Sequence, residues 1–351
     1  MSEATTKGGN DMRFTKWGVF ILSAVFLLSL FPAHAQSVEL KKDVSMPKTM
    51  IISGGVGAGS TSTLIVLWAV KRINAVFPNI SIRHIPGGNK DGIVKASAGT
   101  VAIGKTEVGI TKRAWNGLPP EFKGKQLRDA RLMNCLPTPT CIVGATLKNR
   151  DDIKTAKDLY NKKIGVGMTT SITHVMAEAA LRAYGITPDS IKKNGGVWSY
   201  GKWSQQFDML SSGTLDCVIM GTPQPYSAAL TVDKGFGKGL KLVSWGAEGI
   251  AAQQKAYTDN PIRTIPANTY SGQKEPVKAF GTTNLFAVHK SLPNGVVYNF
   301  LYALFQDDGK SYREIAGPFK NLDVYGDALA SKPLPWHPGA EQYWRDRGRL
   351  K

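Results

Sequence analysis

The chain has 351 residues, 44 Lys and Arg against 26 Asp and Glu, a formal net charge of +18 and three cysteines. So basic a chain suggests nucleic acid as a partner, but no run of five or more Lys/Arg occurs, and solvated surface charge accounts for most of the lysines. His84, His174, His289 and His337 stand far apart and give no Cys–His or i, i+4 metal spacing, so the positive field is expected to favour anionic small molecules or an anionic membrane face.

Residues 1–35 read as an export signal: basic Arg13 and Lys16, an apolar run from Trp17 to Phe31, then the cleavage motif Ala33-His34-Ala35 before Gln36. That run falls short of the roughly 20 apolar residues a membrane span needs. Met12 is an alternative start. Removal of the signal, with its three cations and two anions, leaves +17. The remainder exceeds the size at which one core keeps growing, so two lobes are expected. No second long apolar run follows, and the exported chain is expected to be soluble.

Met50 to Phe77, MIISGGVGAGSTSTLIVLWAVKRINAVF, reads as a strand, a glycine- and hydroxyl-rich cradle and a helix ended by Pro78. Amides at the helix start, with the positive end of its dipole, offer a seat for an anion. Gly57, Gly59, Ser60 and Thr61 are the candidate contacts: the glycines admit close approach, the hydroxyls cap or donate. A Walker loop is disfavoured because Ser60 stands where GxxxxGK needs lysine, and a GxGxxG fingerprint begun at Gly55 puts Ser60 at its third glycine. A ligand-free glycine turn is the plainer alternative.

Ile80 to Ile85 alternates as a strand and meets the turn Pro86-Gly87-Gly88-Asn89, where Gly88 and Asn89 are further candidates. Asp91 to Ala98 reads as a short helix. Val101 to Gly104 reads as a strand running into a loop, Lys105-Thr106-Glu107, whose Lys105 and Thr106 suit an anion at a strand end. Leu127 to Lys148, LRDARLMNCLPTPTCIVGATLK, contains Pro137 and Pro139, which cannot donate to a central ladder, so it is expected to be a connector and not an interior strand. Cys135 and Cys141 within it either close a tight disulfide loop or stay free, and Cys217 reads as a buried thiol.

After a short helix at Asp152 to Tyr160, the strand Lys163 to Gly167 delivers a second cradle, GVGMTTSITHVMAEAALRAYG at 165–185. Thr169, Thr170 and Ser171 precede a helix with apolar positions at 175, 176, 179, 180, 183 and 184, closed by Gly185. His174 reads as solvated or capping. Two such units suggest two lobes presenting helix starts to one cleft. Trp198, Tyr200 and Trp203 form either core or a wall for an aromatic guest. Leu215 to Met220 is a buried strand ending in Gly221-Thr222-Pro223-Gln224-Pro225, so Gly221, Thr222 and Gln224 join the candidates. SxxK occurs at Ser190 and Ser271, but SDN, KTG and GxSxG do not, which disfavours an exported serine hydrolase.

IPANTYSGQ at 265–273, Thr283 to His289 followed by SLPNGVVY, and LPWHPGAEQYWRDRG near the end carry a resemblance; GMTTSITH and GTLDCVIMGTPQP carry it more loosely. From about Lys48 onward the chain resembles the extracytoplasmic receptors of tripartite ATP-independent periplasmic (TRAP) transporters, of the TAXI subclass. The resemblance implies an α/β, bilobed periplasmic-binding-protein fold (type II-like), two α/β lobes joined by crossovers near Thr138 to Val143 and Thr282 to Phe286. On that division residues 46–139 plus 287–351 form lobe I and 140–286 lobe II. It further implies a periplasmic, monomeric, non-enzymatic receptor without cofactor or metal. Such a receptor captures a small organic anion, of the dicarboxylate, amino-acid or oxo-acid type such as glutamate or 2-oxoglutarate. Hinge closure then delivers the guest to the membrane subunits of a sodium-driven TRAP transporter. Ser60 to Thr63 replace the aromatics usual after the first glycines, and Lys105 departs from the usual pattern in a way that suits a carboxylate. An aromatic carboxylate as guest, or a signalling partner in place of a permease, are the alternatives.

Overall fold

In the computed structural model, which describes residues 38–55, 60–169, 171–326, 329 and 331–350, ten strands form one mixed sheet with helices packed on it. The expected export signal at 1–35, Gly57, Gly59 and Thr170 lie outside the described residues. The strands are β1 (Thr49–Ser53), β2 (Ser81–Ile85), β3 (Ile103–Glu107), β4 (Ala130–Leu147), β5 (Lys163–Gly165), β6 (Val197–Ser199), β7 (Cys217–Pro223), β8 (Leu240–Val243), β9 (Ile262–Ile265) and β10 (Val277–His289). Their order is β2-β1-β3-β10-β4-β7-β5-β6, with β8 paired to β4 and β9 to β10.

The two ends of the sheet share one plan. β1 lies between β2 and β3, parallel to both, and β5 lies between β6 and β7 in the same way. β3 then pairs antiparallel with β10, and β7 antiparallel with β4. Helices fill the connections: α1 (Thr61–Val76), α2 (Asn89–Ser97), α3 (Val108–Asn116) and, in the other half, α4 (Ile172–Leu181). α1 forms where its buried residues Ile65, Val66, Trp68, Ala69 and Ile73 recur on one face, with Ser60 as its N-cap.

The expectation of a connector at Leu127 to Lys148 is corrected. This segment is β4, an interior strand 18 residues long, bonded to β10 on one side and to β7 and β8 in its second half. Its prolines are tolerated because they sit where the ladder to β10 shifts register, between Gly281 and Thr283. There Thr138 donates to Thr282 O at 2.6 Å, and Tyr312 donates to Pro137 O at 2.7 Å. The strand also rules out a Cys135–Cys141 bridge: six residues of extended chain put them about 20 Å apart. Cys135, Cys141 and Cys217 are all buried.

One hydrophobic core gathers β1, β2 and β3, the first part of β4, the last part of β10 and the helices Asn294–Phe305 and Pro338–Asp346. Two others lie on opposite faces of the remaining sheet: Ile142, Ile164 and Ile219 point to one, and Cys141, Val143, Val218 and Met220 to the other, as strand alternation requires. Between the cores, residues 137–140 and 281–284 read PTPT and GTTN and contribute to none of them. This crossing strip is held by hydrogen bonds of small polar groups.

α2 sits unusually close to β3. A Cβ on Gly92 would stand 1.9 Å from the carbonyl oxygen of Lys105, a backbone atom that cannot turn aside. Gly92→Ala is therefore expected to cost at least ~1–3 kcal/mol, while Gly317→Ala, with open space around it, should stay within about 0.5 kcal/mol. Urea denaturation of the two variants tests this close approach.

Candidate functional site

Register decides where the strand ends point. Glu107, the last residue of β3, stands opposite Asn284 of β10, which pairs with Leu136 of β4. Pro223, the last residue of β7, stands opposite Thr140 of β4. The carboxyl ends of the two parallel sets thus approach the crossing strip from opposite sides, four residues or about 13 Å apart along β4. In open α/β sheets, ligands bind at strand carboxyl ends where the strand order reverses. Those points are the β1/β3 and β5/β7 crevices. By contrast, the two surface grooves described, lined by residues such as Met50, Arg83, Val101 and His289, lie at the opposite, amino ends of β1 to β3.

At the β1/β3 crevice stands Lys105, 1% exposed. Its Nζ donates to Ser62 Oγ at 2.6 Å and to Asn89 Oδ1 at 2.7 Å. Gly54, at φ +148°, leaves room for the stem, since a Cβ there would meet Lys105 Cβ at 2.5 Å. Burial lowers the lysine to about 7, opposed by the nearby charge of Glu107. Glu107 is buried as well and is raised to about 7 by desolvation, against the pull of the Gly109 and Ile110 amides it caps. Lys105 and Glu107 thus lie inside β3, where the sequence reading has a loop, and Glu107 caps α3, a helix the periodicity does not announce.

The other candidates of this half divide. Ser60 accepts from Thr63 N and Thr61 opens α1, both partly exposed. Asn89 holds the lysine. The Gly88 amide is taken by Asp91 Oδ2 at 2.9 Å. Thr106 points to the opposite face from Lys105, as its neighbour in a strand must, and bonds Thr111 at 3.2 Å in a fully buried pair. Ser62, the direct partner of Lys105, is not among the candidate contacts named from the sequence.

In the second half, Ser171 caps α4, its Oγ accepting from Thr173 N and donating to Thr173 Oγ1 at 2.9 Å. Thr169 is exposed, and its carbonyl lies 3.1 Å from His174 Nε2, whose ring meets Tyr200 edge-on. Gly221 abuts Thr173, while Thr222 and Gln224 bond each other and Gln224 Oε1 accepts from Tyr270 at 2.6 Å. Gln206, absent from the sequence reading, is 1% exposed and ties the two strand ends together: Oε1 accepts from Gly167 N and Nε2 donates to Ser199 O. Nothing local marks it. Trp198 belongs to the core, whereas Tyr200 is exposed. Ser190 and Ser271, the SxxK serines, are engaged by Thr187 and by Asp233.

The halves also touch. Lys112 pairs with Asp259 at 3.0 Å, Tyr257 donates to Glu121 at 2.9 Å, and Arg113 donates to Ala256 O at 3.1 Å. Asn260 stands against Glu107 and Gly109. Ile172, first residue of α4, packs against cores of both halves.

Two α/β halves joined by two antiparallel crossing strands, with crevices converging on the crossing, define a bilobed periplasmic-binding-protein fold. Within that class the chain belongs to the NMT1-like family, whose sequence model matches residues 69–348. Solved structures similar to it include the alkanesulfonate-binding protein of Xanthomonas axonopodis pv. citri bound to MOPS (15% identity, 87% of this chain and 86% of that one, TM-score 0.46). An ancestral arginine-binding protein bound to arginine is similar at 15% identity, covering 78% and 99% of the two chains, TM-score 0.41. A periplasmic transporter structure is similar at 13% identity, covering 87% and 95%, TM-score 0.46.

On unfolding, the Lys105 amine regains its ordinary 10.5, while in the fold it loses its proton near 7. Between those values the unfolded chain binds more protons, so this group's contribution to stability rises with pH, and the buried ammonium is costly below pH 7. Lys105→Met is expected to be more stable than wild type at pH 6 and to lose most of that advantage by pH 10, as urea denaturation at both values would measure.

Proposed function

We propose that this chain is an exported, non-enzymatic solute receptor that captures a small organic anion between two lobes, near residues 46–139 plus 287–351 and 140–286. The observation that carries the reading is a buried lysine at the β1/β3 switch point, on a strand whose carboxyl end approaches the same crossing strip as the hydroxyl- and amide-rich end of β7. Among the described residues the ammonium's hydrogen-bond partners are neutral, which favours an anionic guest, and hydroxyls such as Ser62, Thr61 and Ser171 can complete that guest's hydrogen bonds.

Closure follows from the crossing strip. Residues 137–140 and 281–284 contribute to none of the cores, so small backbone rotations there swing one core against another with little repacking beyond Ile172, which packs on both. The interlobe contacts at α3 are polar and ionic, which suits a surface that opens and closes. A guest shifts this equilibrium only if it binds the closed form better. The resemblance in 265–273, 283–298 and the C-terminal tail supports a TRAP-type membrane transporter as the recipient, and a dicarboxylate, amino acid or oxo acid as cargo. Tyr200, exposed beside His174 at the second crevice, supports an aromatic carboxylate as the second reading.

An ammonium alone does not separate carboxylate from sulfonate, so the test uses glutamate, 2-oxoglutarate, succinate, benzoate and ethanesulfonate. A bound anion at about 100 times its Kd should add ~2.7 kcal/mol of stability, a melting shift of roughly 5 °C, and should be recovered unchanged. Lys105→Met should lose that shift. A chain whose melting none of the five moves, or that converts them, is not this receptor.

A further inference from the structure

We infer that Lys105 takes up a proton when the anion binds, so that capture is coupled to pH; this deepens the reading above and rests on it. The geometry is of a cation whose described hydrogen-bond partners carry no charge. Among the described residues the two acceptors of its Nζ are neutral, Ser62 Oγ and Asn89 Oδ1. The nearby carboxylate, Glu107, is spent on the Gly109 and Ile110 amides at the head of α3 and faces Asn260 of the other lobe. The other titratable groups on the packed elements point elsewhere. Asp91 of α2 accepts from the Gly88 amide, His84 of β2 bonds Gly54 O at 2.6 Å, and Lys90 lies over the Phe122 ring. α1 presents hydroxyls, and β10 places Phe286 opposite Lys105 in register.

A fully buried amine with neutral partners releases its proton more readily than one in water; here burial brings it to about 7. A guest carboxylate or sulfonate seated against Nζ supplies the missing charge and draws the proton back onto the nitrogen. The balance is one proton from solvent to Lys105 per anion bound, with no bond to carbon made or broken. Linkage then fixes the sign: affinity is insensitive to this group well below pH 7 and weakens above it, approaching tenfold per pH unit until the bound form itself deprotonates.

Isothermal titration calorimetry of the full mature chain at pH 8, with each of the five anions in turn, in phosphate and in Tris, reads the proton directly. The two buffers differ in ionisation enthalpy, so the apparent heats should differ by an amount equivalent to uptake of close to one proton. Kd should rise close to tenfold from pH 7.5 to 8.5. Lys105→Arg keeps a permanent cation and should abolish the buffer dependence; if that variant does not fold, Lys105→Met should abolish it together with the affinity. Binding with equal heats in both buffers, or uptake that persists in a folded Lys105 variant, overturns the inference and leaves the receptor reading standing. No heat with any of the five overturns both.

Discussion

Everything in this molecule hangs on the pairing of β4 with β10. Each strand contributes to the hydrophobic cores on both sides of the crossing, and their antiparallel register orients the two parallel sets of strands. Because β3 is antiparallel to β10 and β7 to β4, both sets run toward the crossing from their own side. Helix starts and strand-end loops sit at carboxyl ends, so the polar backbone of both halves is brought to one place by hydrogen-bond geometry alone. At that place aliphatic side chains give way to threonine, proline, glycine and asparagine. A ladder of small polar residues keeps its hydrogen bonds through a modest bend, whereas interdigitated Leu and Ile would have to repack.

The second constraint is electrostatic. A buried lysine and a buried glutamate two residues apart in one strand lower the stability of the fold unless each has partners. Glu107 has them, in the amides at the start of α3. Among the described residues, Lys105 has a hydroxyl and an amide oxygen as hydrogen-bond partners. The strain is accommodated by local shape, since Gly54 gives the lysine stem its room and Gly92 lets α2 close over the strand. An arrangement that weakens the fold and yet is so closely fitted around is the pattern expected of a binding group, because a purely structural role would be better served by a hydrophobic side chain of similar volume.

How much was legible differs by residue and for a physical reason. The first helix, its Ser60 cap and its end at Pro78 depend on neighbours within a turn, and the cradle at 165–171 likewise carries its own cap in Ser171. Pro137 and Pro139 misled because proline is excluded from central ladders only where its missing N–H is needed, and a register shift removes that need. Thr106 sits beside Lys105 in sequence but on the other face of the strand, so adjacency says nothing about a shared site. Gln206 and Asn260 act through partners about 40 and 150 residues away respectively, Gly167 and Glu107, and no local pattern marks them.

By itself the sequence determined the local choices: hydrophobic periodicity, caps and turn residues place most of the strands and helices to within a few residues, and its tail motifs point to a receptor. Only the tertiary structure decided that LRDARLMNCLPTPTCIVGATLK is the central strand, that Lys105 is buried against Ser62 and Asn89, and that the carboxyl ends of β3 and β7 approach one crossing. Local elements follow from free energies summed over a few adjacent residues. Burial and register are set by β10, far along the chain from β3, and no window of sequence contains both.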